Sequence, residues 1–384
     1  VVMDVVYNHT YYSNSWLERT VPGYWNRRWE NGSLTNGSGC GCDLASERTM
    51  VRKYLVDSCV YWAKEYHIDG FRFDLMALHD VETMNAIRAA LDALPGGEDI
   101  LMYGEPWQGG STRMEHGAIP ANKQAAGLLD SRIGFFCDNT RDAIKGGVFN
   151  AGSAGYINGD MHCGYQVLHS IPAWRGGQAD FMPQAPGQVV QYVSAHDNYT
   201  LWDKLKCVAR RGDYAAPDAD LLAQNRMAAG IYLTCQGLPF MQGGEEFART
   251  KHGDHNTYRG PLELNRLDWT RAAQLEELVQ YYHGLLEIRK AYPELSGMAG
   301  DAEPCILSLP GWLIGFVPER QGESLPGRLA VYYNPECTRQ WAALPAGSWR
   351  YLCDGTRAAA EPFGPACRNA IELAPVSVTI LKVE

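Results

Sequence analysis

The chain has 384 residues, more than a single hydrophobic core usually organises, so we expect one large domain and a smaller one. Its apolar fraction of 46% and charged fraction of 20% are those of an ordinary globular protein, and no apolar run is long enough to span a bilayer. The formal net charge of -10, without any basic cluster, argues against nucleic acid as a partner.

Short apolar runs alternate with segments of helical period from Val1 to about Ser296, the pattern of repeated βα units with a parallel sheet. The predicted strands are Val1–Tyr7, Ile68–Phe73, Ile100–Gly104, Ile133–Cys137, Val189–Ser194 and Pro239–Gly243. The predicted helices include Glu47–Tyr66, Val81–Leu94, Gln224–Gln236 and Ala272–Tyr292. The fold class is therefore α/β, and we predict a (β/α)8 TIM barrel over residues 1–296.

An eight-stranded barrel closes only when all of its strands are present, because an open edge leaves backbone groups unpaired. Six strands are visible, so two βα units are expected to precede Val1, and the chain expressed alone is expected to be poorly soluble or to depend on a partner. The chain already starts inside the strand-like run VVMDVVYNH, so a leader upstream of it would not be visible.

The pattern changes after about Gly297 to short alternating strands separated by turns rich in proline and glycine. The strand-like runs are 305–319, 327–335, 348–355 and 376–384. They predict a small antiparallel β-sandwich domain over residues 297–384, which we expect to cover the flank of the barrel.

The cysteine count is 11, an odd number without the spacing of a disulfide framework, so at least one thiol is expected to be free. Cys40 and Cys42 fit ordinary loop thiols better than half of a zinc site, because no second Cys or His pair follows at zinc spacing. A reducing, cytoplasmic setting is slightly favoured, and secretion stays open.

Three acids each close a predicted strand: Asp74, Glu105 and Asp197. The C-terminal ends of barrel strands converge on one mouth, so these acids are expected to meet over one substrate. Asp74 and Glu105 are 31 residues apart, about one βα unit, and neighbouring strands lie about 4.8 Å apart. That spacing suits the roughly 5 to 5.5 Å between the carboxyl groups of a retaining glycosidase. We predict Asp74 as nucleophile, Glu105 as acid/base and Asp197 as stabiliser of the oxocarbenium-like transition state.

Other side chains at the same strand ends are predicted to support this chemistry. Arg72 lies two positions before Asp74, hence on the same side of the strand, and is expected to keep Asp74 ionised and oriented. The remaining candidates for sugar binding are Asp4 on the first strand with Asn8 and His9 at its end, Trp107 beside Glu105, and His196 and Asn198 beside Asp197.

A rival interpretation takes Asp4, His9, His196 and Asp197 as ligands of a catalytic metal in a barrel hydrolase. Such sites usually use an H-x-H pair or a His/carboxylate set at helical spacing, and neither is visible. Glu245 and Glu246 follow the last strand and are expected to be structural, accepting hydrogen bonds from loop amides or pairing with Arg and Lys. The segment Asp254–Tyr258 is expected to shape a polymer-binding cleft.

The residues around the acids resemble the four signature regions of the alpha-amylase family, glycoside hydrolase family thirteen. These regions are DVVYNH at 4–9, GFRFDLM at 70–76, YGEPW at 103–107 and YVSAHDN at 192–198. The surrounding sequence, including NGSGCG, HDVETMNAIR and GEEFARTKHGDHNTY, is similar to type I pullulanases over nearly the whole chain.

The resemblance implies a nucleophile at Asp74, an acid/base at Glu105 and a transition-state stabiliser at Asp197, with Arg72, His9 and His196 around the sugar. It implies a hydrolase that cleaves α-1,6 branch linkages in pullulan, amylopectin and limit dextrins. We further expect an α-glucan polysaccharide as the partner, no organic cofactor and a monomer in the full-length form. A structural Ca²⁺ ion is not assigned, because no D-x-D-x-D run fixes a site.

Two kinds of alternative stay open. Within the same family, the chain could be isoamylase-like or an oligo-α-1,6-glucosidase. From another functional class, it could be a non-catalytic, amylase-like glucan-binding subunit. Such subunits typically lose one of the three acids, and this chain keeps all three.

Overall fold

A computed structural model describes residues 1–115, 117–178, 180–298, 303–318 and 328–384. They form two compact units: the first unit comprises Val1–Phe136 and Trp174–Val190, and the second unit comprises Cys137–Ala173 and Gln191–Glu384. The predicted division near residue 296 falls inside the second unit and stays a prediction. Within the described ranges, no helix has the length and apolar character needed to cross a membrane.

The first unit is built on a parallel sheet. Its strands follow one another in chain order: Val2–Val5, Gly70–Phe73, Leu101–Gly104, Ile133–Phe136 and Val189–Gln191, whose last residue belongs to the second unit. The unit also contains the helices Trp16–Thr20, Thr49–Tyr66 and Val81–Asp92, the short antiparallel pair His9–Thr10 and Cys42–Asp43, and the 3-10 turns Met76–Leu78, Gly97–Asp99, Lys123–Leu128 and Pro186–Gln188. The predicted α/β class with a parallel sheet is confirmed, and closure of this sheet into a barrel stays a prediction.

Several predicted strands are too long at their C-terminal ends. The first ends at Val5 and not at Tyr7, and the strand from Val189 ends at Gln191 and not at Ser194. The sixth, in the second unit, is Leu238–Pro239, where Phe240 N donates to Gln191 O at 2.9 Å. Residues just past these strands are still apolar, so their hydrophobicity does not reveal where the backbone turns away.

The second unit joins helices to antiparallel strands. Its helices are Asp138–Lys145, Gly164–Ser170, Leu201–Val208, Ala219–Thr234, Leu262–Asn265, Trp269–Gln274 and Glu276–Ala291, with 3-10 turns at Met161–Cys163, Glu245–Phe247, Thr257–Arg259 and Pro293–Leu295. A six-stranded sheet has the order Ala358–Cys367, Trp349–Cys353, Ser377–Val383, Leu329–Asn334, Ile314–Val317 and Cys305–Ile306. A separate two-stranded sheet pairs Gln340–Ala343 with Ala370–Leu373.

The six-stranded sheet is covered on both faces. On one face, Val378 and Ile380 share a buried cluster with Ile231 and Tyr281 from the two long helices. On the other face, strand residues pack against the two-stranded sheet in a second cluster that includes Ala330, Tyr332, Trp349, Ile371, Leu373 and Leu381. The predicted antiparallel C-terminal strands are therefore confirmed, and they pack against helices as well as against each other.

Two details of the second unit differ from the sequence prediction. The predicted helix Ala272–Tyr292 is two helices that meet at Leu275, whose φ of -112° and ψ of 35° break the first one. Three strands were not predicted, because alanine and proline have low strand propensity and pairing with neighbouring strands decides the conformation of these segments. The three strands are Gln340–Ala343, Ala358–Cys367 and Ala370–Leu373. Ala358–Cys367 lies at the sheet edge, where its prolines are tolerated. Glu319 and Gly327, at the ends of two predicted runs, lie outside the described residues.

Helix Glu276–Ala291 packs so closely on strand Ala358–Cys367 that a glycine is required. A Cβ added at Gly284 would lie 2.0 Å from the Ala358 carbonyl oxygen. We expect Gly284→Ala to lower the free energy of unfolding by about 1 to 3 kcal/mol, the usual cost of overpacking, despite the better helix propensity of alanine. Urea denaturation measures this change. Gly212→Ala is the control, because nothing lies within 4 Å of its added Cβ, and equal stability of the two variants would contradict the prediction.

The predicted free thiols are found in the first unit. Cys40 is exposed and lies in the loop before strand Cys42–Asp43, and Cys42 is half-buried and begins that strand; both carry free thiols. This confirms that at least one cysteine of the chain is unpaired.

Candidate active site

The register of the parallel sheet lines up three polar residues in the first unit. Asp4 is opposite Arg72, and Arg72 is opposite Tyr103, so the three form a row across adjacent strands. Directly opposed residues of a sheet project from the same face. The row therefore places a carboxylate, a guanidinium and a phenol side by side near the C-terminal ends of the strands.

Asp74 and Glu105 extend this pattern by one step. Asp74 N donates to Val5 O and Glu105 N donates to Phe73 O, each at 3.1 Å, so the backbone ladder continues past the assigned strands. Gly104, just before Glu105, allows this close approach, because an added Cβ would lie 2.7 Å from the Phe73 carbonyl oxygen. Asp74 and Glu105 thus follow neighbouring strands at the same edge of the sheet.

One buried guanidinium contacts all three carboxylates of this group. Arg72 Nη1 donates to Asp4 Oδ1 at 2.8 Å and to Asp74 Oδ1 at 3.0 Å, while Nη2 donates to Glu105 Oε1. Burial lowers the pKa of Arg72, but the carboxylates of Glu105, Asp4 and Asp74 outweigh burial and hold that pKa above its usual value. The predicted contact between Arg72 and Asp74 is present, and the contact with Glu105 was not predicted.

Asp74 is more accessible than the groups around it. Its side chain is 24% exposed, against 7% for Arg72 and 8% for Glu105. A carboxylate that attacks a substrate needs such access.

Asn8 lies behind Asp74. It is completely buried, and its Nδ2 donates to the Asp74 main-chain oxygen at 2.7 Å and to Asp74 Oδ2 at 2.9 Å. Its Oδ1 lies 2.6 Å from His9 Nδ1. The amide of Asn8 thus contacts Asp74 and His9, which orients the carboxylate, and the predicted contact of Asn8 with the sugar stays a prediction. Sugar binding by the half-buried His9 and Trp107 stays a prediction.

A left-handed residue connects the two acids. Leu75, directly after Asp74, has φ 41° and ψ 53°, a conformation that residues with a Cβ seldom adopt. Its backbone N donates to Glu105 Oε2 at 3.0 Å. Sequence reasoning missed this contact, because nothing in a leucine indicates a positive φ.

Asp197, His196 and Asn198 lie in the second unit, after the strand that ends at Gln191. The Asp197 side chain is 70% exposed, and its Oδ1 is 3.5 Å from His196 Nε2. Asn198 has φ 64°, a left-handed conformation that asparagine tolerates well. The turn at Asn198 leaves Asp197 projecting from the surface of the unit.

A cavity of about 470 Å³ adjoins Asp197 within the second unit. Its lining includes Met241, Gln242, Arg249, Lys251, His255, Asn256, Thr257 and Tyr258. Four of these belong to the segment Asp254–Tyr258, which was expected to shape a cleft. The lining supplies several hydrogen-bond donors and the exposed phenol ring of Tyr258.

Lys251 and Asp203 were missed at the sequence level. Lys251 is buried, and its Nζ donates to the His196 carbonyl oxygen at 3.3 Å. Asp203 fixes the same loop, because its Oδ2 accepts from Lys251 N at 2.7 Å and its Oδ1 accepts from the Thr250 hydroxyl. Burial raises the pKa of Asp203. The T-x-x-D spacing from Thr200 to Asp203 signals a helix start, but not that this acid reaches residues 250–251.

The contacts of Asp4 and His9 bear on the alternative in which these residues, with His196 and Asp197, bind a catalytic metal. Asp4 offers its carboxylate to the Arg72 cation, and His9 Nδ1 faces the Asn8 amide. A guanidinium next to Asp4 repels a second cation, which disfavours this carboxylate as a metal ligand.

Known proteins were compared with the chain by sequence. No family model matches it. It is 40% identical over 304 residues to a pullulanase from Bacillus subtilis (strain 168), a match that covers 76% of this chain and 40% of that protein. It is 30% identical over 375 residues to a pullulanase from Klebsiella pneumoniae, which covers 76% of this chain and 33% of the relative. The chain thus spans less than half of the length of these curated relatives.

Solved structures give the same result. A pullulanase from Bacillus acidopullulyticus has a TM-score of 0.89 and 34% identity, covering 100% of this chain and 46% of that one. A pullulanase from Anoxybacillus sp. LM18-11 complexed with maltotetraose has a TM-score of 0.88 and 33% identity, covering 100% and 54%. By sequence and by structure, the chain is a pullulanase homologue and belongs to the alpha-amylase family.

Proposed function

We propose that this chain carries the catalytic acids of a starch-debranching glycoside hydrolase that cleaves α-1,6 linkages in pullulan, amylopectin and limit dextrins. The observation that carries the proposal is the group formed by Asp74 and Glu105, two acids that follow neighbouring strands and share the guanidinium of Arg72. Because the chain spans only about half of its solved relatives, the activity of the whole enzyme belongs to the proposal.

The proposed reaction is a double displacement. The Asp74 carboxylate attacks the anomeric carbon while Glu105 gives its proton to the departing C6 oxygen, so a covalent glucosyl ester forms on Asp74. Glu105, now ionised, then takes a proton from water, and the hydroxide equivalent attacks the same carbon. Asp74 leaves, Glu105 is reprotonated, and two inversions give net retention.

The contacts of the first unit suit these roles. Arg72 donates to one oxygen of Asp74 and Asn8 donates to the other, so the nucleophile is oriented. Glu105 is buried, and the Leu75 amide fixes one of its oxygens. Asp197 is assigned to stabilise the oxocarbenium-like transition state, which its exposed carboxylate supports.

The proposed ligand is an α-glucan. Solved relatives were crystallised with maltose, maltotriose and maltotetraose. In this chain, the cavity beside Asp197 offers the exposed ring of Tyr258 as a flat face for a pyranose, and donors from Lys251 and His255 for sugar hydroxyls. We further propose that the parallel sheet is part of a (β/α)8 barrel, which its strand order supports.

The test is hydrolysis of pullulan by the purified full-length protein that contains this chain, with NMR used to identify the anomer released first. We expect maltotriose as the product, in its α form. Asp74→Ala is expected to lower kcat for pullulan on the order of 10⁴-fold or more, because a nucleophile cannot be replaced by its neighbours. Asp57→Ala, on an exposed face of helix Thr49–Tyr66, is the control.

The outcomes separate the alternatives. Undiminished maltotriose release by Asp74→Ala would refute the assignment of the nucleophile. Preference for glycogen indicates an isoamylase-like enzyme, cleavage of isomaltose indicates an oligo-α-1,6-glucosidase, and glucan binding without hydrolysis indicates a non-catalytic subunit.

A further inference from the structure

We propose that Glu245 is a positioning residue for Asp197 and acts through a hydrogen bond from Ser194. The inference rests on the proposed function, because it concerns the third acid of the same reaction. Glu245 lies outside the group formed by Asp74, Glu105 and Arg72, and touches no residue with an assigned role.

Asp197 has little side-chain support of its own. Its side chain is 70% exposed, and its one ion pair among the residues that the structure describes is with the adjacent His196, whose side chain is 60% exposed. The position of this carboxylate therefore depends on the main chain that carries it. The sheet does not fix that segment, because the preceding strand ends at Gln191, six residues earlier.

The segment is anchored three residues before Asp197. Ser194 is buried, with 1% of its surface exposed, and its hydroxyl donates to Glu245 Oε2. A second anchor follows at His196, whose carbonyl oxygen accepts from Lys251. Glu245 and Lys251 both belong to the turns that follow strand Leu238–Pro239, so these turns hold the backbone of Ser194 to Asp197 at two points.

Glu245 is itself held by the helical core of the second unit. Its Oε1 accepts from the Tyr232 hydroxyl at 3.0 Å and from the Tyr282 hydroxyl at 3.3 Å. These tyrosines lie on the two long helices, Ala219–Thr234 and Glu276–Ala291, and are completely buried. The chain of contacts therefore runs from rigid helices through one carboxyl group to the segment that bears Asp197.

Burying an acid costs desolvation free energy, which a purely structural contact would not require. Burial raises the pKa of Glu245 to about 7 in spite of its hydrogen bonds from Ser194 and Tyr232, and burial lowers the pKa of the nearby Lys145 to about 7. An apolar side chain of similar volume would avoid this desolvation. The carboxyl group provides what an apolar side chain cannot, namely acceptors for three hydroxyl groups from different segments.

Glu245 and Glu246 were both expected to be structural, but their contacts differ. Glu246 accepts a hydrogen bond from the loop amide of Gly244 at 3.0 Å, as expected. Glu245 instead accepts from side-chain hydroxyls, and only Glu245 reaches the segment before Asp197. Glu246 is thus a control in the same turn.

The experiment compares Glu245→Ala, Glu245→Gln, Ser194→Ala and Glu246→Gln in pullulan hydrolysis. We expect Glu245→Ala and Ser194→Ala each to lower kcat about 10- to 100-fold with little change in KM, because one interaction serves the transition state. Glu245→Gln keeps the size of the side chain; its carbonyl oxygen can accept from Tyr232 and Tyr282 while its amide nitrogen donates to the Ser194 hydroxyl oxygen, so this variant should stay within about threefold of the wild type, as should Glu246→Gln. The double variant Glu245→Ala/Ser194→Ala should be no worse than the poorer single variant.

The effect of Glu245→Ala on kcat in the Asp197→Asn variant distinguishes a positioning role from a merely structural one. There Glu245→Ala should lower kcat by less than about twofold, because Asp197 is no longer available to be positioned. A full, additive loss in that background, or an unchanged kcat in folded Ser194→Ala, would overturn the proposal. Ser194→Ala carries the test if Glu245→Ala does not fold. A wild type that leaves pullulan intact would refute the proposed function itself, whereas an active wild type with additive losses would refute only this inference.

Discussion

Replacing Glu105 by glutamine is expected to lower kcat for pullulan by about 10²- to 10⁴-fold, the range that general acid catalysis typically contributes. Glutamine has nearly the same shape but has no acidic proton to give to the departing C6 oxygen, so a sugar hydroxyl must leave as an alkoxide. Glutamine has a single acceptor oxygen, so it keeps the hydrogen bond from the Leu75 amide or the one from Arg72 Nη2, but not both. Urea denaturation of the variant therefore accompanies the kinetics, to separate a loss in the chemical step from a loss of stability.

A substrate with an activated leaving group separates the role of Glu105 in the first step from its role in the second step. Fluoride leaves α-maltotriosyl fluoride without protonation, so Glu105→Gln should still form the covalent intermediate on Asp74. The second step still needs a base, so we expect a rapid release of fluoride equal to the enzyme concentration, followed by slow turnover. Stopped-time fluoride measurements test this. Asp74→Ala should show no such burst, and an equal loss with pullulan and with the fluoride would contradict the role of Glu105.

Changing Arg72 to lysine is expected to lower kcat/KM for pullulan roughly 100- to 1,000-fold. The guanidinium uses two nitrogens to contact Asp4, Asp74 and Glu105, and a single ammonium at the end of a flexible chain cannot reproduce this fork. A loss of 100- to 1,000-fold corresponds to about 2.7 to 4.1 kcal/mol of transition-state stabilisation, because each 1.36 kcal/mol is a tenfold change in rate. Steady-state kinetics on pullulan measures the loss.

Arg132 provides a matched control for this substitution. It also bridges two carboxylates, those of Asp92 and Asp130, but its side chain is 44% exposed. Exposed ion pairs contribute little, so Arg132→Lys should leave kcat/KM within about twofold of the wild type. Similar losses for Arg72→Lys and Arg132→Lys would show that the shared contact in the first unit has no special role.

The sequence predicts the positions of Asp74 and Glu105 well, because their backbone is regular. Each follows a short buried strand, and the spacing of one βα unit puts them on neighbouring strands. Alternation of side chains along the strand is enough to place Arg72 beside Asp74. These features depend on local periodicity, and a single sequence contains that information.

Other parts of the site depend on backbone turns or on distant contacts, and the sequence does not reveal them. The left-handed Leu75 brings its amide to Glu105, and Lys251 reaches the His196 carbonyl from 55 residues away. Strand Ala358–Cys367 forms in a segment rich in alanine and proline because it pairs with a neighbour. In each case, tertiary packing overrides local preference.

The shared core of the second unit limits how the protein can be shortened. Val378 and Ile380, near the end of the chain, are buried together with side chains of helices Ala219–Thr234 and Glu276–Ala291. Truncating the chain after residue 296 would expose apolar side chains on both helices. It would also remove Ala358, whose carbonyl oxygen packs against Gly284. Any minimal catalytic fragment must therefore retain the last strand, although no residue with a predicted chemical role lies within it.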